Sequence, residues 1–218
     1  MKNNSYIPIL ENLAQSEGGI FTTAQAGRMD VPRSALSHAE KTGRIVRITH
    51  GAYRFAGTPA SQFDELVALW KLTAPSKFTQ ERAISWDGVV VGGHSAAFIH
   101  NIGDFFLEPY RLYTRQRFNS RTSAAEYSMR AISEEDVVWR HGLPVTRVER
   151  TLVDLVKDHE DPSLCEDAFF DAYNRYAFTG EFNLARMDTL LEAESARVRH
   201  TMAETRSEAK RKVAPIGV

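Results

Sequence analysis

Between positions 28 and 54 the chain sets out Arg28, Arg33, Ser34, Ser37, His38, Lys41, Arg44, Arg47, His50 and Arg54. The chemistry these types share is hydrogen-bond donation to nucleic acid. A guanidinium forks across two acceptors on a base edge or a phosphate, and hydroxyl, imidazole and ammonium groups add single donors. Their spacing divides the labour. Arg33, Ser34, Ser37, His38 and Lys41 fall on the wetter faces of a stretch whose Ala35, Leu36 and Ala39 recur at helical spacing. Arg33, Ser34, Ser37 and His38 are therefore expected at base edges. Arg28, Lys41, Arg44, Arg47, His50 and Arg54 are expected at phosphates.

The elements needed to hold these side chains follow from the same residues. Thr22 can cap a short helix over residues 23–29, its hydroxyl accepting from a free first-turn amide. Asp30 and Val31 break that helix, Pro32 suits the first turn of the next, and Gly43 stops it. Arg44 to Thr49 then alternates apolar and polar residues and turns at His50-Gly51 into Ala52-Tyr53-Arg54-Phe55, a basic hairpin. Ile7, Leu10 and Leu13 give a preceding helix an apolar face. The order is that of a winged helix-turn-helix, with one helix for the major groove and a hairpin to clamp phosphate. Such units also dock proteins, and that alternative stands beside DNA binding. Residues 1–57 carry a net charge of +3 and the remainder −4. So small an excess holds DNA weakly as salt rises, and a homodimer on an inverted repeat of double-stranded DNA would compensate.

Other residues offer chemistry of their own. Gly93-His94-Ser95-Ala96-Ala97 echoes the nucleophile elbow, with Asp154 and His159 following in order, but Ala97 replaces the second glycine. Five residues apart, Asp154 and His159 are poorly placed for a triad. The simpler expectation is that Ser95 caps a helix and His94 makes a buried hydrogen bond. Thr146-Arg147-Val148-Glu149 fits a capping box. Arg150 and Asp154, four apart, would pair across one helical turn; alternatively Arg150 bonds strand carbonyls or Asp136. Glu134-Glu135-Asp136 lacks further ligands, so no metal or cofactor is expected. The basic run from Arg115 to Arg121 around Phe118 reads as an exposed loop at a hairpin tip or as a second phosphate contact. Glu160-Asp161 and Glu166-Asp167 solvate a helix or face a basic partner cleft.

With 218 residues and 43% hydrophobic content, the chain supports one medium core and one small one. The turn-forming segment 57–61 sets the expected boundary, with a winged head over 1–57 and an α/β body over 58–218. In the body, short strands are expected near Val89–Val91, Tyr110–Thr114, 127–132, 137–139 and 143–145. Helices follow from Leu152, from Leu164 and from Leu184, and the last residues read as a charged helix fraying into a tail. The fold class is thus α+β, a winged helix-turn-helix followed by a mixed α/β body with a helical C-terminal part. A single cysteine, and no apolar run long enough for a signal or a membrane span, point to a cytoplasmic protein; with no convincing triad or ligand set, no enzyme is expected.

Three stretches together resemble the AbiEi-type antitoxins of type IV abortive-infection toxin–antitoxin systems and their stand-alone regulator relatives. They are Gly19-Ile20-Phe21-Thr22-Thr23-Ala24-Gln25-Ala26 through Arg47-Ile48-Thr49-His50-Gly51-Ala52-Tyr53-Arg54, Gly93 through Asp104, and Leu143-Pro144-Val145-Thr146-Arg147-Val148-Glu149-Arg150-Thr151-Leu152-Val153-Asp154-Leu155. The resemblance implies a bacterial antitoxin that represses its own operon through promoter DNA. It also implies a nucleotidyltransferase-like toxin as the partner, opposed directly or functionally. His94, Ser95, Thr146, Arg150 and Asp154 lie in the matching stretches as structural or partner-binding residues. Ala97, Ile99 and Asn101 depart from the family's pattern, and the match fades beyond Asp154.

Overall fold

A computed structural model describes residues 5–120 and 122–213. It is a mixed α+β protein with ten α-helices and two sheets among those residues, divided into two compact units.

The first unit runs to Asp87 and takes in residues 141–143. It opens with α1 (Ile7–Ser16), which buries Leu10, Leu13 and Ala14. Next come β1 (Ile20–Thr22), α2 (Thr23–Arg28) and α3 (Arg33–Lys41), then β2 (Ile45–Thr49) and β3 (Ala52–Phe55). The three strands form an antiparallel sheet in the order β1-β3-β2. Thr22 caps α2 as expected: its Oγ1 accepts from the Gln25 amide at 3.0 Å and Gln25 Oε1 accepts from the Thr22 amide at 2.8 Å. Pro32 stands one position before its expected place, as the N-cap residue of α3. Gly43, at φ +69°, ends α3 in a left-handed conformation that most side chains resist. Leu10, Leu13, Phe21, Ala35, Leu36, Ala39 and Ile45 close one core.

The expected boundary at residue 57 falls inside this unit. Past it, α4 (Asp64–Leu72) packs on all three strands. A short helix, α5 (Thr79–Ile84), gave no sequence signal. What fastens them is polar and buried. Glu17, at the end of α1, accepts from Lys71 Nζ at 2.6 Å, from Gln25 Nε2 at 2.8 Å and from Thr79 Oγ1 at 2.8 Å. An ion pair this dry is held only by a full set of hydrogen bonds. Arg82 is buried under Trp70, its guanidinium 3.7 Å from the ring centre, and donates to the Trp70 carbonyl and to Asp87.

The second unit holds β4 (Val90–Val91), α6 (Gly93–His100), β5 (Tyr110–Thr114), β6 (Ala125–Met129), β7 (Val137–Arg140) and, from Pro144 on, β8 (Leu143–Thr146). The sheet order is β6-β5-β4-β8-β7. Its helices α7 (Val148–Lys157), α8 (Pro162–Tyr176), α9 (Leu184–Glu192) and α10 (Ala196–Val213) share a core of Leu152, Val153, Leu155, Ala168, Phe169, Met187 and Met202. β5 and β6 pair parallel, Tyr110 opposite Ala125, so the basic run after Thr114 is a crossover and not a hairpin tip. Phe118 packs on Tyr127 with ring centres 4.7 Å apart, and Arg115 and Arg117 are exposed. Arg121 and the expected tail beyond Val213 lie outside the described residues.

Candidate nucleic-acid interface

Helix α3 is amphipathic in the sense its sequence demands. Ala35, Leu36 and Ala39 are buried, whereas Arg33, Ser34, Ser37 and Lys41 are exposed and His38 is half-buried. Arg44 leads into β2 and His50 sits on the hairpin turn, both exposed. Arg33, Lys41, Arg44 and His50 make no side-chain hydrogen bond or ion pair among the described residues. Beside them, Thr23, Ala24, Gly27, Asp30, Val31, Pro32, Arg33, Gly51, Leu72 and Pro75 line a cavity of about 580 Å³.

The other three arginines have acidic partners, which the residue pattern did not reveal. Arg28 forks onto Glu81 of α5 at 2.7 and 2.8 Å, donates to the Ser76 carbonyl, and lies 4.2 Å from the Phe78 ring centre. The guanidinium holds the Glu81 carboxyl down at about 2. Arg47 forks onto Glu40 of α3 at 2.9 and 2.8 Å, which ties hairpin to helix and lowers the Glu40 carboxyl. Arg54 is half-buried. It donates to the Thr58 carbonyl, and its Nε lies 3.1 Å from Asp64 Oδ2, close enough for an ion pair but misaligned for a hydrogen bond. Arg54, expected at phosphate, thus has both of these partners within the first unit.

The residues singled out in the second unit are each occupied internally. His94 Nε2 lies 2.7 Å from the Pro109 carbonyl, and its Nδ1 is 3.6 Å from Glu160. Ser95 does not cap α6, since Gly92 is the N-cap residue. Its buried hydroxyl donates to the Leu107 carbonyl at 2.7 Å and accepts from the Arg111 amide at 2.9 Å. Nor does Thr146 form a capping box. Arg147 is the N-cap residue of α7, Thr146 Oγ1 meets Thr151 Oγ1 at 2.8 Å, and Glu149 accepts from the Asn183 amide. Arg150 pairs with Asp154 as expected for an i,i+4 couple, at 2.9 Å. Asp154 has no exposed surface, and Arg130 reaches it as well at 2.9 Å. Asp136 pairs with Arg186 instead of Arg150. With Ser95 and Asp154 so engaged, the triad suggested by residue order is not assembled. No group of three or more His, Cys, Asp or Glu suited to a metal occurs among the described residues. No helix among them is long and apolar enough to cross a membrane.

The first unit thus sets a basic face of α3, free of side-chain partners at Arg33, Ser34, Ser37 and Lys41 among the described residues, beside a β-hairpin. The fold is similar to that in the crystal structure of the RV2827C protein from Mycobacterium tuberculosis, with a TM-score of 0.59 over 92% of this chain and 75% of that one, at 14% identity. Residues 8–56 match the sequence model of the family described as "Transcriptional regulator, AbiEi antitoxin". No curated protein shows significant sequence similarity to the chain.

Proposed function

We propose that the protein is a transcriptional repressor and antitoxin whose first unit is a winged helix-turn-helix that binds the promoter of its own operon. The observation that carries this is the face of α3, where Arg33, Ser34, Ser37 and Lys41 point out of the core with no side-chain partner among the described residues. A helix of this kind fits a major groove, and the adjoining hairpin supplies a backbone clamp. In this reading Arg33, Ser34, Ser37 and His38 meet base edges, and Lys41, Arg44 and His50 meet phosphates. Arg28 and Arg47 join them only by exchanging a carboxylate for a phosphate. The protein binds an inverted repeat as a homodimer, because so modest a charge excess in one head is a weak clamp. The second unit counteracts a nucleotidyltransferase-like toxin, as the family resemblance implies.

The test is binding of the purified protein to its own upstream duplex and to a scrambled duplex across a salt series. Preference for the upstream duplex, with affinity falling steeply as salt rises, is the expected result. Equal or absent binding removes the repressor reading. A second reading then takes its place, in which the head docks a protein. It draws on Met29 and Val46, each 42% exposed. Coexpression with a candidate nucleotidyltransferase-like toxin, scored by growth, tests the antitoxin half separately.

A further inference from the structure

His100 closes α6 and is 2% exposed, yet only one of its ring nitrogens has a partner among the described residues. Nε2 lies 2.7 Å from the Thr146 carbonyl of β8. A carbonyl only accepts, so Nε2 carries the proton and Nδ1 presents a lone pair. That Nδ1 is buried without a hydrogen-bond partner. His100 lines a cavity of about 150 Å³ together with Val138, Arg140, Arg147, Val148 and Glu181. A buried, unmatched acceptor beside two guanidinium groups requires explanation, since leaving such an atom dry is costly.

Two features make the cavity suited to an oxyanion. Arg147 and Val148 are the N-cap and first residues of α7, and no side chain caps that helix. Its first bond within the helix is donated by Thr151 to the Arg147 carbonyl, so the amides of Val148, Glu149 and Arg150 precede it. Helix N-termini of this kind favour anions. Arg147 spends only Nε, on the Glu135 carbonyl at 2.9 Å, and Arg140 donates to Glu181, which also lines the cavity. We propose that this cavity binds a phosphate group carrying one proton, either inorganic hydrogen phosphate or a phosphate monoester. The phosphate O–H donates to His100 Nδ1 while its other oxygens accept from Arg147, Arg140 and the first turn of α7. Sulfate has the same shape and no proton to give at neutral pH, and is excluded on that ground.

The groups facing His100 are Arg140 of β7, Glu181 beyond α8, Tyr176 of α8, whose hydroxyl donates to the His100 carbonyl, and Arg147. Burial holds the imidazole at about 4, so it stays neutral where phosphate monoesters titrate, near pH 6. Affinity for a monoester therefore falls as pH rises through its second ionisation, whereas inorganic hydrogen phosphate still carries a proton above its own.

The experiment titrates the full-length protein with inorganic phosphate, glycerol 1-phosphate and sulfate at constant ionic strength, following the His100 ring signals by NMR. Saturable shifts with either phosphate, and none with sulfate, are expected. Arg140→Gln and Arg147→Gln should each weaken binding about tenfold. Comparison of the two phosphates tells a free ion from an esterified one. No saturation with either, equal binding of sulfate, or unchanged affinity in both variants would overturn the proposal and leave a hydrated cavity. None of these outcomes bears on promoter binding.

Discussion

An arginine on a basic stretch is either a ligand for phosphate or half of an ion pair, and its one-letter code does not say which. Arg33 and Arg44 are free among the described residues, whereas Arg28, Arg47 and Arg54 meet Glu81, Glu40 and Asp64. The partners of Arg28 and Arg54 lie 53 and 10 positions away in sequence, beyond the reach of any local pattern. The distinction has measurable consequences. Arg33→Ala should lose about 1–3 kcal/mol on the upstream duplex and much less on a scrambled one, if the guanidinium forks onto a base. Arg44→Ala should weaken both duplexes alike and lower the salt slope by about one. Equal losses on both duplexes for both variants would refute that division. Arg54→Ala should instead leave the salt slope unchanged and lower the unfolding free energy, by about 1.5–3 kcal/mol for a partly buried charged hydrogen bond. Urea unfolding beside the salt series separates these outcomes.

Two helix starts that look alike in sequence are built differently. Thr22-Thr23-Ala24-Gln25 and Thr146-Arg147-Val148-Glu149 both fit a capping box, and only the first forms one. At Thr22 the chain leaves a three-residue strand directly into α2, so hydroxyl and amide meet. At Thr146 the residue is the buried end of β8, one place too early, and its hydroxyl is claimed by Thr151. Thr22 also donates to the Pro75 carbonyl, so its hydroxyl serves two elements. Thr22→Val should cost about 1–2 kcal/mol, and Thr146→Val, which loses a single bond to Thr151, less; thermal melts of both variants would show whether the order holds. The helix pattern of the head was readable because periodicity and caps are local. Inclusion of α4 and α5 in the first unit was not, because it rests on Glu17 and Lys71, 54 residues apart and each 2% exposed at the side chain. Burial lowers the Lys71 pKa against the pull of Glu17. Lys71→Met strands the carboxylate and should cost about 3–5 kcal/mol, measured by denaturant unfolding; a loss below 1 kcal/mol would mean that water reaches the pair.

Charge and proton binding act on the molecule as a whole. The first 57 residues are basic and the rest acidic, so salt and pH act on different parts. Added salt should weaken the proposed DNA contacts of the first unit while leaving the buried pairs of both units nearly untouched, because screening reaches exposed charges first. Lowering the pH acts on His100 in the second unit. Its pKa is held at about 4 by burial, whereas in an unfolded chain it is about 6.5. Above pH 6.5 the ring is neutral in both states and the protein has its full stability. Between 6.5 and 4 the unfolded chain takes up a proton that the folded chain refuses, so stability falls with pH by a total of about 3 kcal/mol. The carboxylates also titrate toward the acid end of this window, so the histidine's share must be isolated. Urea unfolding at pH 7.5, 6.0 and 5.0, run for the wild type and for His100→Gln, does so: the variant lacks the imidazole's slope, and the two stability curves should converge as pH falls. Parallel curves would mean that the ring accepts its proton in the folded state, which requires water or an anion at Nδ1.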